Sequence, residues 1–339
     1  MEPNRPQKLD RKLDLAARAA WLYYIAGNTQ DEIAGKLNVS RQAAQRLVAL
    51  AVREKLIKFR LDHPLGAGMA LAEALRRRYA LDHADVVPTD PAAATPLAGI
   101  AVAAAEYLET WLGQRSPVVL AFSTGRTLRA AVDEVSASQS PQHRIVSIIG
   151  AMSRDGRASP YEVAMRLASR VGGQCFQLPA PVVASTVEER RLLQTQRSYA
   201  TVRRLAEQAS ATFLGISEIA PGAPLHRDRF VTDAEIAELI DCGAVGEIGG
   251  WTFDAAGRLL ERGINERVAG LPLPQPARRL TIAVGGGAQK VAPIHAALRG
   301  RLISGLITDE RTAQAVLEAA ERPPLVAAAP ARPPPHVPA

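Results

Sequence analysis

Between residues 117 and 308, short β-branched runs alternate with helical stretches, and this alternation limits the possible folds more than any other feature of the chain. The runs are PVVLAF (117–122), RIVSIIGAM (144–152), ATFLGISEI (211–219), LTIAV (280–284) and ISGLIT (303–308). The helical stretches include TLRAAVDEV, YEVAMRLASRV, EERRLLQTQRSYATVRRLAEQ, AEIAELIDCG and VAPIHAALRG. Strands that alternate with helices build a largely parallel, Rossmann-like sheet with helices on both faces. No internal repeat competes with this α/β reading.

At 339 residues the chain suits one small domain and one large one. A hydrophobic fraction of 47% supplies ample core. No uncharged apolar run reaches the ~18 residues of a transmembrane helix. The basic N-terminus, MEPNRPQKLDRKLD, lacks the apolar centre of a signal peptide, so a cytoplasmic protein with no membrane partner is expected. Cys175 and Cys242 are the only cysteines and form no C-x-x-C. They are expected to be buried and inert, with no metal site.

The net charge of +7 is unevenly placed. Residues 1–62 hold twelve Lys/Arg and seven Asp/Glu, a surplus of +5, and the remainder carries +2. A small basic domain on a nearly neutral large one fits a polyanionic partner. Residues 14–26, DLAARAAWLYYIA, read as a helix with Leu15, Ala19, Leu22 and Ile25 as its apolar stripe. Gly27 ends it. TQDEIAGKL opens with a capping box between Thr29 and Glu32. After the turn Asn38-Val39-Ser40, Ser40 caps RQAAQRLVALAVRE, whose core side is Ala44, Leu47, Val48 and Ala51. IKFRL (57–61) then alternates as a basic strand.

Two helices across a three- or four-residue turn, followed by a basic strand, describe a winged helix-turn-helix, whose second helix enters the major groove of DNA. Arg41, Gln42, Gln45 and Arg46 then face the bases and phosphates, with Thr29 and Ser40 at the two helix starts. Arginine pairs bidentately with guanine and glutamine with adenine. Lys58 and Arg60 fit a wing on the phosphate backbone. His63-Pro64-Leu65-Gly66 marks a boundary. The expected organisation is a DNA-binding domain at 1–62, a ligand-binding and oligomerisation domain at 63–321, and a disordered Pro/Ala-rich tail at 322–339.

LTIAVGGGAQK (280–290) passes from an apolar strand into three glycines and a lysine. It matches neither G-x-x-x-x-G-K-[ST] nor G-x-G-x-x-G, so no nucleotide cofactor is implied. Catalysis requires a placed acid and base. The six histidines are scattered, and neither G-x-S-x-G nor H-E-x-x-H occurs, so no catalytic residue and no cofactor is assigned. The alternative is a sugar-phosphate isomerase-like enzyme with a DNA-binding appendage.

TQDEIAGKLNVSRQAAQRLVALAVREKLIKF resembles the N-terminal segment of the SorC-type sugar-binding transcriptional regulators. FSTGRTL (122–128), GAVGEIGGWTFDAAG (243–257) and AVGGGAQKVAPIHAALRGRLISGLITDERTA (283–313) are similar to three further motifs of that family, and the likeness spans residues 14 to 320. The resemblance implies a sugar-isomerase-like domain that senses an effector, in a tetramer (a dimer of dimers) on operator DNA. It places a sugar, polyol or sugar phosphate between Ser123, Thr124, Gly125, Arg126 and Thr127 on one side and Gly285, Gly286, Gly287 and Lys290 on the other. Glu247 then accepts bonds from hydroxyls. Two departures stand out: serine and threonine precede G-R-T where the family often has glycine or tryptophan, and Glu247 replaces the usual aspartate. RIVSIIGAM carries no lysine for a Schiff base, so non-covalent binding is expected.

Overall fold

The computed structural model describes residues 5–54, 56–57, 66–90, 92–93, 95–153, 155–159 and 161–321. By its internal contacts the chain divides into two compact units, Met1–His63 and Pro64–Ala339. The wing residues Lys58 and Arg60 and the tail expected at 322–339 lie outside the described residues.

The first unit holds helices α1 (Arg5–Tyr24), α2 (Gln30–Leu37) and α3 (Arg41–Arg53). The capping box at the start of α2 is complete. Thr29 Oγ1 accepts from the Glu32 amide (3.3 Å), and Glu32 Oε2 accepts from the Thr29 amide (2.7 Å). Asn38, in the left-handed region at φ 52°, closes α2, and Ser40 Oγ accepts from the Ala43 amide (3.2 Å) to open α3. On α3 the buried residues are Ala44, Val48 and Ala51, with Leu47 partly covered. The stripe expected on α1 is met at Ala19 and Leu22, which pack in the core, and missed at its ends. Leu15 and Ile25 are exposed, and the buried face is Ala16, Ala19 and Ala20. Alanine wins there because small side chains bring helix axes to the near end of the ~8–10 Å packing range.

The second unit begins with α4 (Gly66–Tyr79), the edge strand β1 (His83–Val87) and α5 (Leu97–Leu112). Next come β2 (Val119–Phe122), α6 (Arg126–Glu134), β3 (Arg144–Met152), α7 (Ala164–Val171) and β4 (Gln174–Pro181). Helices α8 (Val187–Thr195) and α9 (Arg197–Ala206) lead to β5 (Ala211–Leu214) and the short β6 (Ser217–Glu218). The remaining elements are α10 (Pro224–Arg227), α11 (Asp233–Asp241), β7 (Ala244–Ile248), β8 (Trp251–Asp254), β9 (Thr281–Val284), α12 (Val291–Arg299), β10 (Gly305–Asp309) and α13 (Glu310–Glu321).

Seven strands form one sheet in the order β1-β10-β9-β5-β2-β3-β4, and each neighbouring pair is parallel. Side chains alternate across it. Ile282 and Val284 of β9 join the core beneath α5, α6 and α7, while Ala283 joins the opposite core with α4, α12 and α13. Both faces are covered, so these strands read as continuous apolar runs.

Two of the expected elements are each divided. ATFLGISEI is not one strand. The chain turns at Gly215, whose amide donates to Ser123 Oγ (2.9 Å), and β6 joins a second, antiparallel sheet, β6-β7-β8. The long helical stretch after residue 187 breaks at Gln196, in extended conformation; α9 buries Tyr199, Val202 and Leu205, whereas α8 has no fully buried residue and packs on the core through Leu193. In the second sheet, Gly249 and Gly250 join β7 to β8 with φ of 59° and 86°, the positive values that a two-residue hairpin loop needs.

Replacing Thr29 by Ala removes the cap acceptor, so the helix-turn-helix should lose about 0.5–2 kcal/mol of stability. Hydrogen exchange across residues 29–37 of the full chain reads this. Unchanged exchange would show that packing, not the cap, holds α2.

Candidate functional site

The order of the sheet locates a candidate ligand site. From β2 the chain proceeds outward to β3 and β4, then returns to place β5 on the other side of β2 and moves on to β9 and β10. The strand order therefore reverses between β2 and β5. In open parallel sheets a crevice forms at such a point, beyond the carboxyl ends of the strands. A pocket lies here, walled by the turn after β2, the turn after β5, the hairpin β7–β8, the glycine turn after β9 and the first turn of α5.

The turn after β2 contributes Thr124, Gly125, Arg126 and Thr127 to the lining. Gly125 precedes α6 without any side-chain cap, so the first-turn amides of this helix suit an anion. Ser123 is buried and acts as a brace: its Oγ donates to the Thr124 carbonyl (3.3 Å) and accepts from the Gly215 amide. Thr124 Oγ1 donates to the Tyr161 carbonyl.

The glycine turn does not present all its amides to the pocket. The Gly285 amide donates to the Ile307 carbonyl (3.1 Å) and the Gly287 amide to Thr312 Oγ1 (2.8 Å). Gly286, Gln289 and Lys290 line the pocket, whereas Gly285 and Gly287 shape the turn from behind. The Lys290 ammonium lies over Gly285, close enough that a β-carbon there would sit 3.2 Å from Nζ.

Glu247 reaches the pocket from β7, where it pairs in register with Ser217 of β6. Its Oε1 accepts from Ser217 Oγ (2.6 Å) and its Oε2 from the Gly250 amide (2.9 Å). Enclosure by protein raises its pKa above the ordinary carboxylate value, and those two hydrogen bonds and Lys290 oppose the shift. Lys290 moves the other way. Burial lowers its pKa, Glu218 and Glu247 raise it, and Arg126 lowers it further. The pocket lining thus holds two cations, Arg126 and Lys290, and two carboxylates, Glu247 and Asp228, with Glu218 acting on Lys290 as well.

Several lining residues were not foreseen from the sequence: Thr95, Tyr161, Ser217, Asp228 and Gln289. Gln289 stands inside the AVGGGAQK motif beside Lys290, where its polarity was a usable signal. Ser217 becomes visible only through its cross-strand register with Glu247. No histidine lines the pocket among the described residues, and His295 instead faces Tyr79, with ring centroids 6.2 Å apart. The expectation for the cysteines is corrected. Cys242 is exposed at the end of α11, and Cys175 is partly covered, with its thiol pushed up to about 11, mainly by burial.

In the first unit, Arg41, Gln42, Gln45 and Arg46 are all exposed on α3, away from the core face of Ala44, Val48 and Ala51. Arg41 Nε lies 3.6 Å from Asp31 Oδ1, an exposed pair worth little. The Thr29 hydroxyl is engaged on both sides, accepting from the Glu32 amide and donating to Glu32 Oε2 (2.9 Å), so it is a cap first.

The family described as "Putative sugar-binding domain" matches residues 63–318. The chain is 32% identical over 303 residues to the erythritol catabolism regulatory protein EryD of Brucella abortus, covering 89% of this chain and 96% of the relative. It is 29% identical to the deoxyribonucleoside regulator of Bacillus subtilis, covering 91% and 99%. The fold resembles the full-length sorbitol operon regulator SorC of Klebsiella pneumoniae with a TM-score of 0.66, at 23% identity, over 90% of this chain and 99% of that one.

The raised pKa of Glu247 has a thermodynamic sign. Between the ordinary value of 4.5 and the raised one, the folded chain keeps a proton that the unfolded chain has released. Stability from this group therefore falls as pH rises through that window. Glu247→Gln should flatten the pH dependence of the unfolding midpoint there. A variant that keeps the wild-type slope would show that Glu247 titrates as a free carboxylate.

Proposed function

Because the chain belongs to the SorC-type family of sugar-binding regulators, we propose that it is a DNA-binding transcriptional regulator of a carbohydrate or sugar-alcohol operon. A sugar, polyol or sugar phosphate bound in the switch-point pocket controls it. One observation carries the reading: Arg126, Glu247 and Lys290, from three distant segments, meet in one pocket in a chain that also exposes a capped helix with Arg41, Gln42, Gln45 and Arg46. The names of the relatives point the same way, to erythritol, sorbitol and deoxyribonucleosides. The protein works in the cytoplasm as a tetramer, a dimer of dimers, which places two reading helices on a palindromic site and which light scattering on the full chain measures directly.

On the DNA side, Arg41, Gln42 and Gln45 read bases, and Arg46, Lys58 and Arg60 hold phosphates. Arg41→Ala or Gln42→Ala should cost about 1–3 kcal/mol of discrimination at one base position. Arg46→Ala should weaken all sequences alike and reduce the slope of log K against log salt by about one. Binding titrations on operator variants separate the two. A loss of base preference confined to Arg46→Ala would overturn the assignment.

On the effector side, the polar end of the ligand lies between Arg126, Lys290 and the start of α6, and its hydroxyls lie toward Glu247. A phosphate there makes charge-assisted bonds, about twice as strong as neutral ones. Erythritol, sorbitol and erythrose 4-phosphate form a minimal thermal-shift panel. If the phosphate ester binds, Lys290→Ala should abolish the shift and Glu247→Ala only reduce it; if a free polyol binds, the order should reverse. A Lys290→Ala, Glu247→Ala double variant that still responds normally would place the sensor elsewhere.

A further inference from the structure

Behind the pocket, without lining it, lies Asp309, a carboxylate at the end of β10 that is 1% exposed. Its two oxygens serve two relays of the same form. Asp309 Oδ1 accepts from the Thr312 hydroxyl, which in turn accepts from the Gly287 amide (2.8 Å). Asp309 Oδ2 accepts from the Thr89 hydroxyl (2.7 Å), which accepts from the Arg311 amide (3.1 Å). Each relay runs from a backbone N–H through a threonine hydroxyl to one carboxylate oxygen.

The amide ends of the relays lie at the glycine turn and at Arg311 in the first turn of α13, and their threonines stand behind different parts of the pocket. The first fixes the glycine turn that carries Gly286, Gln289 and Lys290. The second fixes Thr89, just past β1, where Val87 and Pro88 seat Gly99 in the first turn of α5. Pro96, Leu97 and Ile100 of that turn form another stretch of pocket wall. The two walls also converge on the carboxylate. A β-carbon at Gly286 would lie 2.4 Å from Asp309 Oδ1 and 2.8 Å from Ile100 Cδ1, so only glycine fits above it.

We infer that Asp309 is a positioning residue that ties the glycine turn and the first turn of α5 together as one pocket frame. The inference rests on reading the pocket as the effector site. A carboxylate is suited to this because it only accepts, and both threonine hydroxyls must donate toward it in order to face their amides with a lone pair. An asparagine would offer a donor on one side, turn one hydroxyl around and release its amide. Ligand seated on either wall therefore meets a frame whose other wall is already set, which lowers the ordering cost of binding.

Hydrogen exchange on the full chain, without ligand, tests this. Thr312→Val should speed exchange in the peptide spanning 285–291 by roughly three- to tenfold, the effect of one lost hydrogen bond, and leave 95–101 unchanged. Thr89→Val should free the Arg311 amide and speed 95–101 while leaving 285–291 unchanged. Asp309→Asn should speed one of the two peptides, and Asp309→Ala, which removes both acceptors, should speed both. Thr312→Ser and Thr89→Ser keep the hydroxyl and should restore wild-type exchange, which a purely packing role would not produce. If Asp309→Ala leaves either peptide at the wild-type rate, the inference fails. Should that variant not fold, the valine variants decide: separate losses support the frame, and loss of both peptides from either one overturns it. No ligand enters the measurement, so a failed effector screen would sink the sensor reading and leave this one standing.

Discussion

The parallel pairing of β2 with β5 is the contact on which the rest of the candidate ligand site depends. Leu120, Ala121 and Phe122 lie in register with Ala211, Thr212 and Phe213, and the rings of Phe122 and Phe213 stack with centroids 5.3 Å apart beneath the sheet. Past this pair the two chains separate, one into α6 and the other through Gly215 into the second sheet. The divergence opens the crevice, and the Ser123 hydroxyl spans its base by bonding to Gly215. Everything polar in the pocket is delivered to that opening. The hairpin β7–β8 brings Glu247 because β6, the continuation of β5, pairs with it.

The sequence was most legible where one local signal decided the outcome. The Thr29–Glu32 box, the Ser40 cap and the apolar side of α3 depend on interactions within four residues or on helical spacing, and the folded unit holds them as expected. The parallel sheet was readable because strands buried on both faces leave unbroken apolar runs. The phase of α1 was readable only in part. Leu15 in α1 and Ile25 just past it are exposed, while Ala16, Ala19 and Ala20 with Leu22 face the core, since close approach of α3 counts for more than area. Strand β4, QCFQLPAP, carries two prolines and lies at the sheet edge, so its pattern resembled a loop. Helix α5 is apolar almost all round, which hides its period.

In the candidate site, the motif residues were visible individually but their division of labour was not. Gly285, Gly286 and Gly287 look equivalent in sequence. In the folded chain the first and third amides are taken up by Ile307 and Thr312, and the second glycine is required by a carboxylate beneath it. Ser123 and Thr124 look like anion-binding hydroxyls, yet both donate to backbone carbonyls. These distinctions depend on partners ninety or more positions away in the case of Ser123 and Gly215, and no local pattern encodes them.

On the proposed effector reading, the charges in the pocket would link binding to conformation. Lys290 is enclosed with its ammonium disfavoured, beside a second cation, while Glu247 is enclosed with its carboxylate disfavoured. Each group compensates the other only in part, so the ligand-free pocket holds charge that is incompletely solvated. A ligand that supplies an anionic oxygen to Lys290, or hydroxyls to Glu247, provides the missing solvation only in the arrangement where these groups converge. On that reading such a ligand would bind that arrangement more tightly than any in which the glycine turn or the hairpin had moved away, and differential affinity is the sole means by which a ligand shifts a conformational equilibrium. A neutral apolar molecule of the same size would fill the crevice without relieving either charge, and so would occupy the pocket without acting as a signal.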